Sequence, residues 1–204
     1  MNVKKELEGY IKEHYVDGDK MLSYLPDFEI HPDKIKAIMI NEVVANDVKD
    51  DFYSDKKNPL YMETTIALFH AAGIEVEDIQ EIIDAGIYIT NAVKTPKDEY
   101  AIETAKIKDH AQILEKELAL FENLEVVMLM GDVAKKAFNM ITKKASKKNA
   151  VPSISTYKLR NSELYYDGKR IFPSYIMTGK NILIEKSKFQ MASEDIFKMM
   201  DIIR

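Results

Sequence analysis

The sequence predicts an α/β fold, a three-layer sandwich with a central four-stranded parallel sheet flanked by helices. Three observations lead there. Residues 36–40 (KAIMI), 87–90 (IYIT), 126–130 (VVMLM) and 171–177 (IFPSYIM) are short continuous apolar runs, the pattern of strands buried on both faces. Segments of helical period separate them, as crossover connections between parallel strands require. Each run also ends in residues that do not belong in a core: Asn41-Glu42, Asn91, Gly131 and Thr178-Gly179.

In chain order, residues 2–16 form an amphipathic helix with Val3, Leu7, Tyr10, Ile11 and Tyr15 near a 3.6-residue period, closed by Gly18 between two aspartates. Residues 21–32, with two prolines, read as a connection. The first strand hands over at Asn41-Glu42 to a polar, acidic loop over residues 43–59, long enough to be functional or mobile. A helix over 60–72 turns Ile66, Leu68 and Phe69 inward and stops at Gly73. A second helix, 76–85, is closed by Gly86. The strand at 87–90 ends on Asn91, and a turn through Lys94, Thr95 and Pro96 leads into a long helix over 98–121. After the third strand, Asp132 is placed to cap a helix over 133–145. A turn at Asp167-Gly168 precedes the fourth strand, whose Pro173 donates no ladder hydrogen bond and so predicts an edge or irregular strand. A helix over 187–203 follows.

At 204 residues, one domain is expected, with residues 1–34 as helix and connection and 35–204 as the core. The absence of cysteine excludes disulfides, thiol chemistry and cysteine-held metal centres. The four histidines have no ligand spacing, so neither a metal nor another cofactor is expected. No apolar run approaches the roughly 18 residues of a membrane span, which predicts a cytoplasmic protein without a membrane partner. The net charge of −5 is unevenly spread. Residues 134–188 carry 13 lysines and arginines against 3 acids, a net of +10, leaving −15 elsewhere. Such a segment fits a polyanion or a solvated helix end, with Lys143, Lys144, Lys147 and Lys148 at its centre and Lys180 beyond.

In a parallel α/β sheet the carboxyl strand ends converge on one crevice, and ligands bind there. The strand-end residues are therefore the candidate site.

The order and spacing of these pieces resemble the uracil-DNA glycosylase superfamily over roughly residues 35–200, and most closely its thermophilic-type branch. The Tyr-Ile-Thr-Asn-x-Val-Lys stretch at residues 88–94 is the most specific correspondence. The segment 41–45 stands where the family has a Gly-Glu-Ala-Pro-Gly-like motif, 58–61 where it has a Pro-Phe helix start, and 126–134 where an apolar strand runs into Gly-x-x-Ala. The resemblance implies hydrolysis of the N-glycosidic bond of a deaminated base flipped out of DNA, single- or double-stranded, in base excision repair. It implies a water-activating role for Glu42 beside Asn41, base reading by Asn91 and stacking by Tyr61 or Leu60. Gly131 and Lys94 fall within its motifs and join Asn41, Leu60, Tyr61 and Asn91 as expected substrate-binding residues. The family's histidine-containing turn is replaced near Ile176, Met177 and Thr178, so Thr178 is the candidate donor there. Losing a donor to a developing anion costs roughly 3–4 kcal/mol. The branch's iron–sulfur cluster cannot form in a chain without cysteine. Two alternatives stand beside the glycosylase: a member that binds a base, nucleotide or nucleic acid without cleavage, and a hydrolase of small N-glycosides.

Overall fold

The computed structural model describes residues 1–98 and 101–204. Its helices are α1 (Val3–His14), α2 (Gly18–Leu22), α3 (Leu60–Ala71), α4 (Ile79–Asp84), α5 (Thr104–Leu118), α6 (Asp132–Ser146), α7 (Thr156–Leu159), α8 (Asn181–Ile184) and α9 (Lys186–Ile203). The strands are β1 (Ala37–Val43), β2 (Ile87–Val93), β3 (Val126–Met130), β4 (Leu164–Tyr166) and β5 (Lys169–Ser174), in the sheet order β2-β1-β3-β5-β4. β1, β2, β3 and β5 are parallel, and β4 folds back antiparallel on β5.

The expected four parallel strands are thus present, but the sheet has a fifth strand. β4 is three residues long and only half-buried, so neither apolar content nor alternation announces it. What forms it is the Asp167-Gly168 turn, with both residues at positive φ, which pairs Tyr166 with Lys169. β4 reaches only as far as Ile171, so Pro173 sits where β5 has β3 on one side and no strand on the other. Proline is accommodated in such a position.

Alternation along each strand builds two cores. Ile38, Ile40, Tyr88, Val127 and Leu129 face α1, α5 and α6, while Ala37, Met39, Ile87, Ile89 and Met128 face α3 and α9. Residues buried on both faces in this way explain why the strands read as continuous apolar runs. The register that matters most for the site is at the carboxyl end: Asn41 of β1 stands opposite Asn91 of β2. Both strands continue past these asparagines, to Val43 and Val93, rather than ending at them. No helix among the described residues is long and apolar enough to cross a membrane.

Candidate base-binding site

Beyond the carboxyl ends of β1, β3 and β5 opens a cleft of about 870 Å³. Its walls include Glu42, Val43, Val44 and Ala45 from β1 and the following loop, Leu60 and Tyr61 from α3, Asp132, Val133 and Lys136 from α6, and Ile176, Thr178 and Asn181 after β5.

Glu42 points to the sheet face opposite Asn41 and reaches the start of α6, where its Oε1 accepts the Val133 backbone N–H at 3.0 Å. This carboxylate does the capping expected of Asp132. Asp132 is the first helical residue, Gly131 is the cap residue, and no side chain of the cap serves the helix. Gly131 permits this by having no side chain: a Cβ there would lie 2.7 Å from Glu42 Cδ. Its φ of 109° is also one that glycine alone adopts readily. Burial raises Glu42 above the usual carboxylate range and Asp132 adds to this, while the Val133 and Asp132 N–H groups and Lys97 oppose it.

On the other sheet face, buried polar side chains form a chain of hydrogen bonds that meets the cleft at Thr178. Asn41, Asn91 and Asp51 lie behind it and do not line the cleft. Thr178 Oγ1 donates to Asn41 Oδ1 at 3.1 Å. Asn41 Nδ2 donates to Asn91 Oδ1 at 2.7 Å and to the Val43 carbonyl at 3.3 Å. Asn91 Nδ2 donates to Asp51 Oδ1 at 3.1 Å. Asp51 is held in turn by the N–H groups of Ala45 at 2.7 Å and Phe52 at 2.9 Å. Each of the four side chains is buried. Burial pushes the Asp51 carboxyl up to about 6, against the opposing pull of these three donors and Lys94. Buried amides must be hydrogen-bonded, and here two of them on neighbouring strands share one bond and find their other partners in Thr178, Val43 and Asp51.

Tyr61 donates its hydroxyl to the Val43 carbonyl at 2.9 Å, and its ring packs on Phe52 at 5.3 Å between centroids. Leu60, 42 % exposed, stands on the rim.

The sequence does not single out Asp51 or Phe52, which lie in the acidic loop expected to be functional or mobile. Both are buried at about 1 % exposure, following a 3₁₀ turn at Val48–Asp50. The signal was the Phe52-Tyr53 pair, two aromatic residues in an otherwise charged stretch. Tyr53 donates to the Ile89 carbonyl at 2.6 Å and anchors the loop to β2.

Lys94 is turned into the interior, away from the cleft. Its ammonium donates to Glu117 Oε2 at 2.6 Å and to the Asn91 carbonyl at 2.7 Å, and it also bonds Thr90 Oγ1. Glu117 Oε1 accepts from Tyr88 and Thr90, so this pair joins β2 to α5 beneath the site. Lys94 therefore supports Asn91 from behind. The lysines Lys143, Lys144, Lys147 and Lys148 are exposed at the carboxyl end of α6. The cleft reaches Lys136 on α6, so the patch begins seven residues further on, roughly 10–18 Å away at 1.5 Å per residue. Lys144 pairs there with Glu115. Lys180, exposed, lies between the cleft residues Thr178 and Asn181.

Fold and cleft define an open α/β protein with a cleft at the carboxyl edge of its parallel strands, where such folds place ligands. The chain belongs to the Uracil DNA glycosylase superfamily, whose profile matches residues 48–189. No curated protein matches it. Among the described residues no cluster of histidine, aspartate or glutamate could hold a metal ion, and the lack of cysteine leaves no ligands for a thiolate-bound iron–sulfur cluster.

Proposed function

We propose that the protein takes an extruded nucleotide of DNA into the cleft and hydrolyses its N-glycosidic bond, with Glu42 as the group that orients the attacking water. The observation that carries this reading is the placement of Glu42. One carboxylate oxygen is fixed by the Val133 N–H, on a residue that lines the cleft and whose affinity for protons is raised by burial. A carboxylate so placed can accept a proton from water as the oxygen attacks C1′ and can stabilise the positive charge that develops on the sugar. The C1′–N bond breaks and its electron pair leaves with the base. Tyr61 and Leu60 flank the base plane, and Thr178, the end of the chain through Asn41 and Asn91, faces its polar edge. Lys97 and Lys136, which line the cleft, and the exposed Lys180 beside it are cations suited to backbone phosphates. The remote patch of Lys143, Lys144, Lys147 and Lys148 fits a more distant stretch of the same strand or duplex.

A second reading, base binding without cleavage, is favoured by one observation. None of the described residues lining the cleft is a histidine, and the hydrogen of Thr178 is already given to Asn41.

The test is excision from labelled oligonucleotides carrying uracil, hypoxanthine or xanthine, single-stranded and mispaired. Wild-type cleavage that falls at least a hundredfold in Glu42→Gln is expected. Intact binding without cleavage of any of these would replace the first reading by the second.

A further inference from the structure

We propose that Thr178 meets a bound base only as a hydrogen-bond acceptor, so that the site selects a base turning an N–H or NH₂ group toward it, and that Asn41, Asn91 and Asp51 fix this polarity. The inference rests on the cleft being a base site and says which edge it takes.

Direction in the chain is set at two independent places. The Val43 carbonyl can only accept, so the Asn41 atom facing it at 3.3 Å must be the amide nitrogen. The Asn41 oxygen then faces Thr178, and the only hydrogen available between Asn41 Oδ1 and Thr178 Oγ1 is the hydroxyl's. At the far end, Asp51 receives N–H groups from Ala45 and Phe52, so it presents an acceptor to Asn91. The Asn91 atom facing it must be nitrogen, and Asn91 Oδ1 must accept from Asn41. Both ends thus give one orientation for both amides. Tyr61, beside Thr178, commits its own hydrogen to Val43, so toward Thr178 it too presents only an acceptor. The buried Asn41 oxygen has no other donor among the described residues and holds the Thr178 hydrogen.

A hydroxyl normally adapts, donating or accepting as its partner requires. Thr178 has lost that freedom: its hydrogen is held by a buried amide oxygen that would otherwise be unsatisfied. A carbonyl or ring nitrogen placed against it would meet a lone pair. A base that aims an N–H or an exocyclic amine at Thr178 completes the chain, running from the ligand through Thr178, Asn41 and Asn91 to Asp51. The matching substrate class is one defined by a donor at that position, with amino-bearing bases the simplest case.

The experiment measures binding of single-stranded pentanucleotides in which four positions are stable abasic sugars and the central one carries the test base. Two pairs differ by an amino group against hydrogen, the partner being the smaller base: adenine against purine, and cytosine against 2-pyrimidinone. At least one amino base is expected to bind about tenfold more tightly than its partner, the size of one satisfied against one unsatisfied buried acceptor. That difference should persist in Thr178→Ser and close in Thr178→Val. In Asn41→Leu, with folding verified by circular dichroism, the Thr178 hydroxyl regains its rotation and the difference should shrink although Thr178 itself is unchanged. A purely structural role for Asn41 would lower both affinities of a pair together. Binding of the pentamers without preference for the amino base, or a preference that survives in Thr178→Val, overturns the acceptor role while leaving a base site standing. If no pentamer binds more tightly than one with five abasic sugars, the cleft is not a base site and both readings fail.

Discussion

Replacing Gly131 by alanine tests how Glu42 is held. The backbone of Gly131, at φ 109° and ψ 175°, lies in a region that other residues enter at about 1–3 kcal/mol. The added Cβ would also stand 2.7 Å from Glu42 Cδ and 2.8 Å from Cγ. The Glu42 side chain must then swing away, losing its bond to the Val133 N–H. A hydrogen bond to a charged group contributes about 1.5–3 kcal/mol, so the substitution should destabilise the protein by roughly 2.5–6 kcal/mol in all. The assay is urea unfolding of four proteins: wild type, Gly131→Ala, Glu42→Ala and the double variant. With Glu42 truncated, the obstacle and the hydrogen bond are both already gone, and only the backbone contribution remains. Gly131→Ala should therefore cost about 1.5–3 kcal/mol less in that background. Equal costs in the two backgrounds would refute the close packing of Glu42 on Gly131 as the reason glycine stands there.

Two further outcomes are expected. Burial raises Asp51 from 3.8 to about 6, so between those values the native state holds a proton that the unfolded chain has lost. Its contribution to stability is therefore greatest below the unfolded value and falls as pH rises through the window, by at most about 3 kcal/mol. The unfolding free energy of wild type minus that of Asp51→Asn, measured from about pH 4 to about pH 7, should decline accordingly, and a flat difference would remove Asp51 as the titrating group. Lys94→Met should cost about 3–5 kcal/mol by stranding the Glu117 carboxylate in the core. Adding Glu117→Gln should recover part of it in a thermal melt, and a double variant less stable than Lys94→Met would contradict that account.

The parallel core was legible because burial on both faces leaves one signal, a run of apolar residues. The run at 126–130 coincides with β3, and the helix expected at 60–72 differs from α3 by one residue. The candidate site was legible as a set of strand ends for the same reason. Periodicity does not report partnership, and here the sequence was silent. Asn41 and Asn91 read as strand terminators, yet they lie within the ladder, their amides bonded once to each other across the register and otherwise to Thr178, Val43 and Asp51. Asp51, in a run of four acids among residues 47–55 on either side of Phe52-Tyr53, looked like a solvated loop residue. It is buried because two backbone N–H groups and an amide receive it. Nothing local placed Lys94 in the interior rather than at the site, because its partner, Glu117, is 23 residues away on α5. The rest of what was missed, β4 and the short helices α2, α7 and α8, is too brief for any period to show.

The strand order also fixes a timetable for the growing chain. β2, β1 and β3 can join once Met130 has been made, although even β1 and β2 must meet across fifty residues, as the Asn41–Asn91 contact records. The outer edge of β3 then has no strand against it until β5, at Lys169–Ser174, emerges and pairs with it. Until then this apolar edge is open to strands of other copies. Thr178 and Asn181 follow later still, so the nascent protein closes its vulnerable edge before it completes the cleft.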